Sequence, residues 1–315
     1  MSKLVEALRK VQEERSGESG PRKHRKIGRI ETNDANETYD ADGTVVLPVS
    51  DGASVRAIQI DKDAMREAGL IAPESENKHF EDEYRVIKRP ILSNAFGSNA
   101  KTIKDGHLVL VTSALAGEGK TFTCINLALS LAKEVDTSVL LVDADLPKPH
   151  ISSLFDAQDE KGLTDYLEGD VSHVNEIIVP TSVRGLSVLP AGNSREHATE
   201  LLSGRRMADL ISVLHRRDPK QIILIDSSPL LQTTESRALA ALAGQIVLVV
   251  KAGITPKGAV LDAVSTLDTD KPTNLVLNQV RFGSGTGYYS SYYGGVYGSA
   301  KGETDVQEKA QDKKQ

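Results

Sequence analysis

The 315-residue sequence has no tryptophan, one cysteine and no long apolar run. Each shortage narrows the possibilities. A lone Cys124 cannot close an internal disulfide, and it excludes zinc or iron–sulfur sites built from several cysteines of one chain. That usage fits a reducing compartment, so a cytoplasmic location is expected. No stretch reaches the roughly eighteen consecutive apolar residues of a membrane span, and the N-terminus lacks the apolar core of a signal peptide. Basic residues are outnumbered, 38 Lys and Arg against 44 Asp and Glu, for a formal net charge of −6. Coating nucleic acid needs a basic surface, so no nucleic-acid partner is expected. Aromatics are scarce too, at eight Tyr and five Phe, yet Tyr288, Tyr289, Tyr292, Tyr293 and Tyr297 crowd into one short segment. That clustering is not a sample of the average composition.

What is present divides the chain into three parts, 1–78, 79–282 and 283–315. Residues 2–14 place Leu4, Leu8 and Val11 at helical spacing between charges, which predicts a short amphipathic helix. The polar stretch 16–44 reads as a disordered linker. It carries the basic run Arg22-Lys23-His24-Arg25-Lys26, a solvated charge run that could also contact an anionic membrane surface weakly. Residues 45–75 leave room for a small ordered element without an assigned role. A helix is predicted from about 79, stopped by Pro90.

From 107 to 282, apolar runs alternate with helical segments. The runs are 107–113, 138–143, 186–190, 221–226, 245–250 and 273–277. They are almost continuously apolar, as strands buried on both faces of a parallel sheet are. The fold class predicted is α/β, a doubly wound and mostly parallel sheet with crossover helices. Beyond Phe282 the composition falls to Gly, Ser and Tyr and then to a charged tail, which predicts a flexible segment.

Chemistry enters at 114–121, Ala-Leu-Ala-Gly-Glu-Gly-Lys-Thr, between the first of those strands and a helix. This is the strand–loop–helix setting of a P-loop, with Ala114 where the pattern has its first Gly. Gly117 and Gly119 let backbone N–H groups turn inward toward a phosphate chain, and the helix N-terminus adds partial positive charge. Lys120 would reach the β- and γ-phosphates of a nucleotide, and the Thr121 hydroxyl would ligate Mg²⁺. Two acidic motifs end later strands. VLLVDADLPKP carries Asp143 and Asp145, and IILIDSSP carries Asp226. In a parallel sheet all strand carboxyl ends share one edge, so these acids converge on the phosphate loop. Mg²⁺ keeps waters and takes few protein oxygens, so one hydroxyl with one or two carboxylates suffices.

Taken together, these residues resemble the bacterial tyrosine kinases of polysaccharide synthesis and export, in the form of the cytoplasmic, exosortase-associated autokinases. The resemblance covers roughly 79–298. ALAGEGKT is similar to the family's Walker A motif, VLLVDADLPKP to Walker A′, IILIDSSP to Walker B, and YYSSYYGGVY to its C-terminal tyrosine cluster; ATELLSGRRMADLISVL also fits. The resemblance implies a P-loop NTPase fold and autophosphorylation, with ATP and Mg²⁺, of Tyr288, Tyr289, Tyr292, Tyr293 and Tyr297 in a neighbouring subunit's site. It implies nucleotide contacts from Ala116, Gly117, Glu118, Gly119, Lys120, Thr121, Phe122 and Asn278, and metal contacts from Thr121, Asp143 and Asp226. Lys120, Asp143, Asp145 and Asp226 would be catalytic, Asp143 helping to remove the tyrosine proton. Pro147 stands where the family often has Arg, with Lys148 next. Asp82, Arg85 and Lys88 loosely match the family's oligomerisation helix, which implies a ring-like homo-oligomer. A separate chain-length-determinant membrane protein would act as activator, recruiting the chain to the inner face of the plasma membrane.

The physical reasoning agrees with that chemistry. A tyrosine hydroxyl, with a pKa near ~10, needs a carboxylate or metal to lose its proton at neutral pH. The alternative is a positioning or partition-type ATPase acting as a nucleotide-dependent binding switch. Those proteins carry Lys where this chain has Leu115. A nucleotide-binding adaptor without catalysis is a further alternative. No Asn-Lys-x-Asp motif for guanine is present.

Overall fold

Apolar strands need cover on both faces, and the architecture supplies it for all the predicted runs but the last, 273–277, where Leu275 and Leu277 stay exposed. The structure, a computed structural model, describes residues 31–32, 38–39, 45–48, 54–60, 65–66, 68–70, 78–97, 103–193, 198–218, 220–268 and 270–280, without the side chains of 31–56, 78–79 and 198–199. The described residues up to Asn278 belong to one compact unit. The helix expected at 2–14, the basic run 22–26 and the tail from 283 with its tyrosines lie outside the described residues.

The main sheet contains β5 (Leu108–Ser113), β6 (Ser138–Ala144), β7 (Val179–Pro180), β8 (Leu186–Leu189), β9 (Gln221–Ser227), β10 (Gln245–Lys251) and β11 (Thr273–Asn278). Their order is β11-β10-β5-β9-β6-β8-β7. All neighbours are parallel except β7, which pairs antiparallel with β8 at one edge. Every strand run predicted from the sequence is present. β7 was not predicted, because the apolar stretch that leads into it, residues 177–179, is short and closed by Pro180.

Alternate side chains divide the core. Leu108, Leu110, Leu140, Val142, Ile223, Ile225, Ile246 and Leu248 face one side. There they meet α4 (Leu163–Glu168), α5 (Ala198–Leu202), α6 (Arg205–Arg217), α7 (Glu235–Leu242) and α8 (Lys257–Ser265) through residues such as Leu163, Leu202, Met207, Leu210, Leu239 and Ala263. Val109, Val111, Val139, Leu141, Ile222, Leu224, Val247 and Val249 face the other side, toward α1 (Lys78–Phe96), α2 (Lys120–Ala132) and α3 (His150–Leu154). Period-two alternation with both halves apolar is what a sheet covered on both faces requires. α2 is buried along nearly its whole length, lying between the sheet and α1.

α1 corrects the expectation that Pro90 ends a helix. It runs on to Phe96 with Pro90 inside. The proline removes one amide, so the Val86 carbonyl loses its usual helical donor. Val86 and Pro90 are both exposed, where water can serve that carbonyl. Beyond them, the fully buried Ile91 and the packed Leu92 and Ala95 keep the helix on the core. Here burial outweighs the local defect.

The N-terminal part also holds more structure than its composition indicates. β1 (Glu31–Thr32), β2 (Thr38–Tyr39), β3 (Val45–Pro48) and β4 (Ser54–Arg56) form an antiparallel meander, and β1 and β2 fall inside the stretch 16–44 read as a linker. After β4, Ile58 bridges to Thr181, its amide donating to Pro180 O at 2.8 Å. Ala57, Ile60, Met65, Ala68 and Leu70 are buried, the last four in the same cluster as α1 and α2. Ile60, Met65, Ala68 and Leu70 therefore pack with the domain expected to begin at 79.

β5 leads through α2 to β6, which lies beyond β9, and the chain continues outward to β8. β9 leads back through α7 to β10 on the other side of β5. The chain thus changes direction at the carboxyl ends of β5 and β9, the place where open α/β sheets open a crevice for a ligand.

Candidate active site

The loop leaving β5 turns at Gly117 (φ 79°) and Gly119 (φ 91°), both in the left-handed region that a side chain disfavours. α2 then begins at Lys120. Ala116 and Gly117 are exposed at the loop's tip, whereas Glu118, Lys120 and Thr121 are buried. β6 and β9 are neighbours in register, with Asp143 opposite Asp226, and Val111 of β5 opposite Asp226 on the other side. The sheet therefore brings the loop and the acids from 143, 145 and 226 to one place.

Their contacts are direct. Lys120 Nζ donates to Asp145 Oδ2 at 2.5 Å and to Thr121 Oγ1 at 3.1 Å, and lies 3.7 Å from Asp226 Oδ1. Thr121 Oγ1 donates to Asp226 Oδ2 at 2.7 Å. Asp145 Oδ1 accepts from Ser228 Oγ at 2.7 Å. Asp143 Oδ2 accepts the Ser152 amide at 2.8 Å and the Ser152 hydroxyl at 2.7 Å. Ser152 and Ser228 were not singled out in the sequence. Ser228 sits inside IILIDSSP and could have been found there, whereas nothing in the pattern marks Ser152.

Burial sets the electrostatics. Asp143 and Asp226 are fully buried, and Asp143 Oδ1 and Asp226 Oδ1 have no hydrogen-bond partner. Desolvation, joined by repulsion from Asp226, pushes the Asp143 carboxyl up to about 7 despite the Ser152 donors. Desolvation also raises Asp226 to about 6 against the pull of Lys120 and Thr121. For Lys120, burial alone would lower the pKa, but Asp226 and Asp145 outweigh it and hold the ammonium charged. Buried acids crowded beside a phosphate loop, with oxygens unspent, are a site built to receive positive charge.

These donors fit a hard divalent cation. Thr121 and Asp226 would hold it, with Asp143 alongside. Among the described residues no three His, Cys, Asp or Glu side chains form a metal cluster. Water and ligand oxygens would therefore complete the shell, as Mg²⁺ prefers.

Two predicted contact residues take unexpected positions. The Phe122 side chain packs toward α1, 6.2 Å from the Phe80 ring between centroids, so only its backbone, in the first turn of α2, is near the loop. The Glu118 carboxylate turns into the protein, accepting the Leu115 amide at 2.8 Å and the Thr255 hydroxyl. Asn278, at the end of β11, donates from Nδ2 to the Glu118 carbonyl at 2.9 Å, which sets it at the loop's rim. In the helix expected to carry oligomer contacts, Asp82 and Arg85 pair in solvent at 2.6 Å. Lys88 instead turns inward, donating to Ser130 O at 2.8 Å and pairing with Glu134 at 2.7 Å.

Comparisons with known proteins agree with this geometry. The family model described as AAA domain matches residues 107–275. The tyrosine-protein kinase CpsD of Streptococcus agalactiae is 32% identical over 180 residues, 56% of this chain and 77% of CpsD. The tyrosine-protein kinase YwqD of Bacillus subtilis is 29% identical over 239 residues, 75% of this chain and 97% of YwqD. Other relatives are much longer: the chain spans 22% of the succinoglycan biosynthesis transport protein ExoP of Rhizobium meliloti, at 31% identity over 180 residues, 56% of this chain. Among solved structures, the kinase domain of VpsO superposes with a TM-score of 0.55 at 30% identity, covering 65% of this chain and 98% of that one. The chain binds nucleotide through a P-loop fold; it belongs to the AAA-domain family and, within it, to the bacterial protein-tyrosine kinases.

Proposed function

We propose that the chain transfers the γ-phosphoryl group of ATP to its own C-terminal tyrosines, Tyr288, Tyr289, Tyr292, Tyr293 and Tyr297, one subunit acting on the tail of another. One observation carries the reading. Lys120, Thr121, Asp143, Asp145 and Asp226, drawn from three separate strand ends, meet beside a phosphate loop with two buried carboxylate oxygens unspent. Lys120 would exchange Asp145 for the transferring phosphoryl oxygens, whose negative charge grows in the transition state. Asp145, held by Ser228, keeps the ammonium aimed until then. Asp143, tethered through Oδ2, offers Oδ1 to the tyrosine hydroxyl. A carboxylate with a pKa raised to about 7 is a better proton acceptor at neutral pH than an ordinary aspartate. Mg²⁺, held by Thr121 and Asp226, would supply charge neutralisation on the phosphate oxygens.

The relatives' names support a role in exopolysaccharide synthesis or transport; the proposed mode is phosphorylation of the chain within a homo-oligomeric ring. A membrane protein that determines chain length is the proposed activator, holding the kinase at the inner face of the plasma membrane. No helix among the described residues is long and apolar enough to cross a membrane. In the ring, the α1 contacts fall to Asp82 and Arg85, because Lys88 is engaged within its own subunit.

The test is incubation with ATP and Mg²⁺ together with the activating partner, followed by phosphosite mapping. Phosphate is expected on residues 288–297 and is expected to accumulate far more slowly in Lys120→Met. Wild-type protein that remains unmodified under these conditions would overturn the reading.

A further inference from the structure

Glu118 stands in the phosphate loop, but its carboxylate is only 3% exposed and both its oxygens are taken by protein. Oε2 accepts the Leu115 amide from the start of the same loop, at 2.8 Å. Oε1 accepts the hydroxyl of Thr255, a residue 137 positions away in the turn between β10 and α8. That hydroxyl in turn accepts the Lys251 amide at 3.1 Å. A second tie runs in parallel: Asn278 Nδ2 donates to the Glu118 carbonyl at 2.9 Å, while the Asn278 carbonyl accepts the Ala252 amide at 2.9 Å. Lys251 and Asn278 are register partners in β10 and β11. One residue of the loop is thus held by side chain and by backbone, and both ties end on the same pair of neighbouring strands.

The arrangement is directional. A hydroxyl is both donor and acceptor, so Thr255 can relay from a rigid strand amide to a buried carboxylate. A loop that turns on two glycines has little stiffness of its own, and its amides can meet a phosphate chain only while the loop keeps its shape. Hydrogen bonds to a charged, water-excluded acceptor are among the stronger ones.

We infer that Thr255 is a positioning residue for the phosphate loop, acting through Glu118, and that this latch couples the β10–β11 edge to nucleotide affinity. The inference rests on the proposed nucleotide reading, because the loop it shapes is the one assigned to phosphate.

Two measurements on the full-length chain test it. Hydrogen–deuterium exchange without nucleotide reads the latch itself, through the Leu115 amide. Binding of a fluorescent ADP analogue reads its consequence. Thr255→Val removes the hydroxyl at nearly constant volume, and Thr255→Ser restores it. In Thr255→Val the Leu115 amide should exchange several-fold faster and the nucleotide should bind about tenfold more weakly, the loss expected for one bond to a buried charge. Thr255→Ser should stay within about twofold of wild type, against the same scale. Unchanged exchange in a folded Thr255→Val would overturn the latch. Faster exchange with unchanged affinity would show a purely structural tie and overturn the positioning role. Equal damage from Ser and Val would assign the effect to packing, with the same result. Wild type that binds no nucleotide, while exchange responds as expected, would remove the nucleotide reading and the positioning role with it.

Discussion

Replacing Asp143 by asparagine should stabilise the nucleotide-free protein while removing its activity. Asp143 is fully buried, with an ordinary carboxyl value of 3.8 in the unfolded chain and about 7 in the folded one. Between those values the native state holds a proton that the unfolded state has released. Stability therefore falls as pH rises from about 4 to about 7 and is flat above, the reverse of the usual salt-bridged aspartate. The displacement of about three units, at about 1.4 kcal/mol each, makes the charged carboxylate cost about 4 kcal/mol at neutral pH and above. Near pH 5 the cost is about 2 kcal/mol. Asparagine stays neutral, its carbonyl can keep both Ser152 donors, and its amide would face Asp226. Urea denaturation without nucleotide or metal is the assay. With a slope near 3 kcal/mol/M, the variant's midpoint should lie about 1 M above wild type near pH 8 and roughly half as far near pH 5. Asp226 titrates in both proteins, so the difference isolates Asp143 and its repulsion with Asp226. A variant no more stable than wild type, or an advantage independent of pH, would refute the assignment of a buried, proton-holding Asp143.

Three further outcomes follow from the same geometry. Lys120→Met should lower the rate of tyrosine phosphorylation about 10²- to 10³-fold, the loss typical of one preorganised charge donor, measured by initial rates under saturating ATP. Ser152→Ala removes one of the two donors that hold the Asp143 carboxylate charged; its pKa should rise further and the acid limb of the pH–rate profile should move to higher pH. An acid limb that stays in place would argue against Asp143 as proton acceptor. Lys88→Ala should destabilise the single subunit by about 2 kcal/mol, chiefly by leaving the buried Ser130 O without its donor while water takes over the partly exposed Glu134, whereas Arg85→Ala should leave subunit stability within about 0.5 kcal/mol and reduce oligomer size on light scattering. The opposite pattern would return Lys88 to the subunit interface.

How much of this was legible in the sequence follows the range of the forces involved. The inner strands of the main sheet were readable because continuous apolar runs mean burial on both faces, a property each segment carries by itself; β11 carries such a run too but lies at the edge with Leu275 and Leu277 exposed. The phosphate loop was readable for a similar reason, since Gly117, Gly119, Lys120 and Thr121 are adjacent in sequence. What escaped is what depends on a distant partner. β1 and β2 lie in a polar stretch and exist through backbone pairing, which composition does not record. Ile58, Ile60, Met65, Ala68 and Leu70 look unremarkable until the residues around β7 and α2 provide the surface they cover. Pro90 reads as a stop because the rule is local, while Ile91, fully buried beyond it, is held from outside the helix.

The site divides along the same line, and the division explains its chemistry. Asp143, Asp145 and Asp226 could be placed at strand ends from the sequence, but the raised pKa values of Asp143 and Asp226 could not, because they arise only when β6 and β9 come into register and exclude water. The donor that tunes Asp143, Ser152, comes from α3, packed against those strands, while Ser228, just past β9, holds Asp145 in place. Thr255 is further still, supplied by the far side of the sheet. Sequence adjacency thus fixes which groups can meet phosphate, and long-range packing fixes whether the acids hold protons and whether the loop keeps its shape. A change far from every motif, at the β10–α8 turn or beneath β6, should then alter affinity or pH dependence while leaving each motif residue intact.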